Sequence, residues 1–199
     1  MLPGCVASTL QKGMARIFKR VNKLCYMFNK DLLNEIGEIL KKQKQSIAVA
    51  ESVTSGLLQA AFSNAQDASC FFQGGITAYN VGQKCRHLLV EPLHALECNC
   101  VSENVATDMS LHVGKLFTSD YGIGVTGYAA KVPEKNVNSL YAFYAITEKN
   151  KIVMCGKMET NVEEGLPTQL FYVDEVLKIF EKYLKTKTKK AGQNRTMFN

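Results

Sequence analysis

The chain has 199 residues, 46% hydrophobic and 21% charged, enough for one good-sized domain whose core needs no disulfide or metal staple. No apolar run approaches the roughly 20 residues that would span a bilayer, and the seven cysteines lack zinc-site spacing and fit reduced thiols in a cytoplasmic protein. The net charge of +6 sits at the ends: residues 1–30 and 185–199 hold eleven basic residues and no acid, and the body between carries thirteen basic against eighteen acidic residues, a net −5, so the basic pI gives no reason to expect a nucleic-acid face on the folded body.

Residues 1–29 read as a basic extension. Ile17, Val21, Leu24 and Phe28 lie near one helical face, with Arg and Lys elsewhere. That is the look of a transit peptide or a membrane-surface helix, and equally of an upstream extension, so the segment is set aside from fold reasoning. The domain is expected over 30–184. "KDLLNEIGEILKK" places Leu33, Ile36 and Leu40 at helical spacing, with lysines near its end. "SIAVA" (46–50) has a buried-strand pattern, and 54–64 reads as a helix. "CFFQGGITAY" (70–79) reads as a strand in which Gly74-Gly75 marks a bulge or a close backbone approach. "VGQKCRHLLV" looks helical. "VSENVATDMSLHVGKLF" is a helix capped by Ser102, with Val105, Met109, Val113 and Leu116 as its apolar stripe.

"DYGIGVTG" then predicts a strand ending in a turn. "SLYAFYAIT" and "KIVMCGKME" predict an antiparallel hairpin, and "PTQLFYVDEVLKIFEKYL" a closing amphipathic helix. The basic end, 185–199, reads as a solvated, disordered tail. The order of elements predicts a single three-layer α/β/α domain: a mixed, mostly parallel sheet with a C-terminal hairpin plus helix.

Three polar clusters fall at predicted C-terminal strand ends, where open α/β sheets bind ligands. The first is "AESVTSG" at 50–56. Free N–H groups at a helix start favour anions, so Ser52, Thr54, Ser55 and Gly56 could hold a phosphate or carboxylate. Ser52 could instead be a nucleophile with those amides as its oxyanion hole. On local sequence alone, simple helix capping explains the hydroxyls as well. The second cluster places Tyr79 and Lys84 around a strand end. The third places Thr126-Gly127 at another. The histidines form no ligand motif, so no metal and no cofactor is expected.

In order along the chain, "AESVTSGLLQAAFS", "FFQGGITAYNVGQK", "CVSENVATDMS", "DYGIGVTGYAA" and "VPEKNVNSLYAFYAI" resemble the CinA C-terminal domain family. Its members usually read A-E-S-C-T-G-G, G-G-x-x-x-Y-S-N-E-x-K, A-V-S-E, T-G-I-A-G-P-x-G-G and P-E-K-P-V-G. The resemblance covers about residues 31–184 and is to the stand-alone form, without the larger N-terminal domain of full-length members. It implies an amidohydrolase like nicotinamide-nucleotide amidase, which turns nicotinamide mononucleotide into nicotinate mononucleotide and ammonia in pyridine nucleotide salvage. It also implies Ser52 as the nucleophile and Tyr79 or Lys84 as the group that activates it. Thr54, Ser55, Gly56, Thr126 and Gly127 would then hold the substrate.

The departures from the family pattern are local. Val53 replaces the cysteine, and Ser55 replaces the first glycine of T-G-G. Ala130-Lys131 replaces Gly-Pro, and the glycine pair that follows is missing. The segment 128–138 should therefore shift the substrate range. The alternative is a catalytically altered nucleotide-binding or regulatory module, or an amidase with another substrate. The expected partner is a small nucleotide, not nucleic acid, and a homo-oligomer is compatible with the sequence.

Overall fold

The structure is a computed structural model that describes residues 27–196, with side chains through 189. The helical face expected around Ile17, Val21 and Leu24, and the question of a targeting segment, lie outside the described residues. The elements are helix α1 (Lys30–Gln43), strand β1 (Ile47–Glu51), α2 (Leu57–Ser63), β2 (Phe72–Thr77), α3 (Val81–Leu88), α4 (Pro92–Glu97), α5 (Glu103–Leu116), β3 (Tyr121–Gly127), the hairpin β4 (Leu140–Glu148) and β5 (Lys151–Thr160), and α6 (Leu166–Thr196). Short 3-10 turns lie at Ala68–Cys70 and Pro133–Lys135.

The sheet order is β2-β1-β3-β4-β5. β1 pairs in parallel with β2 and β3, while β4 runs antiparallel to both β3 and β5. The β1–β2 register slips between Phe72 and Gly74, where the glycine pair announced an irregularity. The sheet is thus mixed, with β4 alone reversed. Alternating side chains send β1 to two cores. Ile47 and Val49 join Leu33, Ile36, Phe62, Tyr172 and Phe180 on one face. Ala48 and Ala50 join Leu88, Val105, Met109 and Val113 on the other. Helices α1, α2 and α6 cover the first face, and α5 with the short α3 and α4 covers the second.

Helix α5 lies close on β3 because Gly122 and Gly124 face it. A Cβ at Gly122 would meet the Ser110 carbonyl at 2.1 Å, and one at Gly124 the Ala106 carbonyl at 2.2 Å. Among the described residues no helix is long and apolar enough to cross a membrane.

Three expectations need correction. The second helix begins at Leu57, not at 54, because Ser55 (φ 51°) and Gly56 (φ 96°) are left-handed and turn the chain first. Helix α4 went unexpected, although its start is well marked. Glu91 caps it by accepting from the Leu93 and His94 amides, and Pro92 sits at the first turn. Finally, the closing helix does not end near 184: α6 continues to Thr196. Its lysines find partners elsewhere in the fold, with Lys185 on Glu35 and Lys187 on Glu148, and Lys185 also pairs with Glu181 one turn back.

Candidate functional site

The C-terminal ends of β1 and β3 open into a cavity of about 530 Å³. Ser52, in the turn after β1, lies on its wall beside Lys84 of α3 and Thr126 and Gly127 of β3. The loop 128–138 forms another part of the wall through Tyr128, Ala129, Ala130, Val132 and Lys135. The charged side chains on the wall are Lys84 and Lys135, with no carboxylate among them.

Lys84 is 2% exposed. Its ammonium donates to Ser52 Oγ at 2.8 Å and to the Tyr79 carbonyl at 3.2 Å, and among the described residues it forms no ion pair. Burial pushes it below the usual lysine range, with the Cys100 and Cys85 thiols acting weakly the other way. Such a lysine sheds its proton more readily and can accept one from the hydroxyl it faces. Helix α3 sets this geometry. Asn80 caps it by accepting from the Gln83 amide at 3.0 Å, which places Lys84 one turn in, pointing back under the site.

Tyr79 touches Lys84 only through its main-chain carbonyl. Its ring is 77% exposed at the cavity rim, and its hydroxyl makes no protein hydrogen bond among the described residues. Of the two candidate activators, geometry places Lys84 on Ser52. The Thr126 hydroxyl is nearly buried and donates to the Cys100 carbonyl at 2.7 Å, tying β3 to the turn after α4.

The turn 52–56 is arranged differently from the expected anion site. Glu51, fully buried at the end of β1, turns its carboxylate into the start of α2. It accepts from the Thr54 hydroxyl at 2.6 Å and from the amides of Gly56, Leu58 and Gln59 at 3.1, 2.9 and 2.8 Å. The donors offered to a phosphate are thus taken by the chain's own carboxylate. Thr54 is fully buried, and neither it nor Gly56 lies on the cavity wall; both belong to the scaffold. Ser55 does reach the cavity, with its hydroxyl 3.3 Å from Gln169 Nε2.

Two residues escaped sequence reasoning. Glu51 follows the predicted strand at 46–50, and its capping role is hidden because the helix it caps starts only at Leu57. Gln169, on α6, lies on the cavity wall and donates to the Val53 carbonyl at 2.8 Å. Nothing in its neighbourhood marks it, because its partner is distant in sequence.

Comparison with known proteins places the chain in a family. The family model described as CinA C-terminal domain matches residues 29–166. A CinA-like protein of Chlorobium chlorochromatii is 36% identical over 153 residues, covering 74% of this chain and 36% of that protein. A CinA-like protein of Cytophaga hutchinsonii is 29% identical over 160 residues, covering 78% of this chain and 38% of that protein. The chain thus spans somewhat over a third of the length of these curated relatives. Among solved structures, competence damage-inducible protein A of Klebsiella pneumoniae superposes with a TM-score of 0.74 at 22% identity, covering 78% of this chain and 96% of that one. A competence or damage-inducible protein of Enterobacter asburiae gives 0.73 at 20% identity, covering 78% and 97%. These two likenesses concern the fold. By sequence and by architecture, the chain belongs to the CinA C-terminal domain family.

Proposed function

We propose that this protein is a serine–lysine amidohydrolase that removes ammonia from the carboxamide of a pyridine nucleotide, with nicotinamide mononucleotide as the reference substrate. The observation that carries this reading is the 2.8 Å contact between the Lys84 ammonium and the Ser52 hydroxyl, inside a cavity sized for a small nucleotide.

Neutral Lys84 takes the Ser52 proton as Oγ attacks the carboxamide carbon. The Val53 amide follows Ser52 directly, lies on the cavity wall and donates to no protein backbone group among the described residues; it is the candidate to face the oxyanion. The protonated Lys84 then returns its proton to the departing nitrogen as the C–N bond breaks, releasing ammonia and leaving an ester on Ser52. Water attacks that ester with Lys84 again as base; Lys84 returns the proton to Ser52 Oγ as the acyl–oxygen bond breaks, and the acid product loses its own proton to solvent and leaves as carboxylate. Gln169 holds the Val53 carbonyl and so fixes the turn that carries the nucleophile.

The test is ammonia release from nicotinamide mononucleotide by the purified protein, with Ser52→Ala and Lys84→Met controls. Release that depends on both residues supports the proposal. Release that is unchanged in Ser52→Ala rejects the nucleophile. Nucleotide binding with no release from the wild type favours the altered binding module, the reading that the rewritten loop 128–138 also supports.

A further inference from the structure

Eight large apolar side chains stand exposed among the described residues, and four of them fall within 79–96. Leu89, Leu93 and Leu96 are 64, 69 and 65% exposed. Leu93 and Leu96 share a face of α4 at helical spacing, and Leu89 closes α3 just before it. Leu96 and the Tyr79 ring also line the cavity, so the run begins at its mouth. Exposed leucines scattered singly need no explanation, whereas a contiguous run of them marks an interaction surface. Leu89 adds a second sign. It sits left-handed at φ 49°, with its amide bonded to the Lys84 carbonyl. Glycine makes that turn without strain and leucine does not, yet here the strained residue holds a large apolar side chain out to water.

The charges that flank the run are self-complementary. Arg86 lies one turn before Leu89, and Glu97 one turn after Leu93. Both are exposed, and neither forms an ion pair among the described residues. Glu91 is taken up in capping α4, and His87 faces Gln83. In chain order, a free base therefore stands at one end of the apolar run and a free acid at the other. Two such runs laid antiparallel about a two-fold axis bury the leucines and bring Arg86 of each copy to Glu97 of the other.

We infer that the surface formed by Leu89, Leu93 and Leu96 is a two-fold interface for a second copy of this chain, with Leu93 near the axis and the Arg86–Glu97 pair made twice. The second copy then stands beside the cavity mouth, at Tyr79 and Leu96. The interface involves neither Ser52 nor Lys84 and does not depend on the reaction proposed for them.

Sedimentation velocity of the purified protein tests it. The wild type should be a dimer that dissociates on dilution. Leu93→Glu sets two like charges near the axis and should raise the dissociation constant about a hundredfold. Arg86→Glu and Glu97→Arg each turn both ion pairs into repulsions and should each weaken association about tenfold. The double variant Arg86→Glu/Glu97→Arg re-forms both pairs with the signs exchanged and should return association to near the wild-type value. All three positions are exposed, so far-UV circular dichroism should show the wild-type fold in every variant. A wild type that stays monomeric up to its solubility limit overturns the inference, whether the face is idle or takes up anionic lipid vesicles instead. A dimer indifferent to Leu93→Glu overturns it too, because the copies then meet elsewhere. A double variant as weak as the single ones overturns the two-fold pairing.

Discussion

An ammonium sealed from water and facing a hydroxyl is costly to keep charged. Lys84 is in that position, and burial lowers its proton affinity. As a base it works when neutral, so kcat/KM should rise with pH through a midpoint below the usual lysine value near 10.4. A profile flat across that range would remove Lys84 from the proton transfer. Between its folded and unfolded pKa values the lysine is neutral in the fold and charged in the open chain. Unfolding then takes up a proton, so stability rises with pH across that window. Lys84→Met should abolish this rise and reduce turnover about 10²- to 10⁴-fold, with little loss of melting temperature. Ser52 and Lys84 were legible as candidates because the turn after β1 and helix α3 after β2 carry them, and both match family motifs. Which of Tyr79 and Lys84 contacts Ser52 was not, because it depends on which atom of Tyr79 faces inward. That atom is the carbonyl, and the ring is left to the rim.

Between β1 and α2 a single carboxylate does the work of a cap. Glu51→Ala would strand three amides and the Thr54 hydroxyl in a buried turn, and should cost roughly 3 kcal/mol in urea unfolding. A loss below about 0.5 kcal/mol, the level of an ordinary surface substitution, would mean that these donors find water. At the far end of α6, Glu148 accepts from Lys187 and from the Tyr183 hydroxyl. Burial alone would raise its carboxyl, but these partners outweigh it and hold the group below the usual range. Its contribution is therefore present above the unfolded value near 4.3 and is lost as pH falls through the lower folded value. Lys187 is a third exposed, so Lys187→Met should cost only about 1 kcal/mol at neutral pH. Its stability difference from wild type should shrink on acidification, read from melts at pH 7 and pH 3. Periodicity revealed most elements, because apolar spacing is local information. The continuation of α6 was not legible, since a run of lysines reads as solvated until Glu35 and Glu148 are brought beside it by the fold.

As a whole, the molecule has two cores that share one sheet, and every central strand contributes to at least one of them. Neither core can open without exposing the other through β1, whose alternate residues line both, so unfolding should be a single transition. Far-UV circular dichroism and tyrosine fluorescence (the chain has eight tyrosines and no tryptophan) should give coincident urea curves. A shifted fluorescence curve would mean that the face rich in Tyr121 and Tyr172 melts on its own. The class of fold and the hairpin were foreseeable from the alternation of elements. The order of strands across the sheet was not, because it rests on pairings between distant segments.

Helix α6 carries Gln169 at the cavity and Lys187 at the opposite edge of the sheet. Eighteen residues of helix separate them, a rigid strut of about 27 Å. Its two ends are fastened to different things: one to the turn that bears Ser52, the other to the ends of β3 and β4 through Tyr121 and Glu148. A small rotation at the far fastening would therefore be transmitted as a displacement of the Gln169 amide from the Val53 carbonyl. Substitutions at Tyr121, Glu148 or Lys187 should then register as slower turnover at unchanged substrate affinity, remote from any atom the substrate touches.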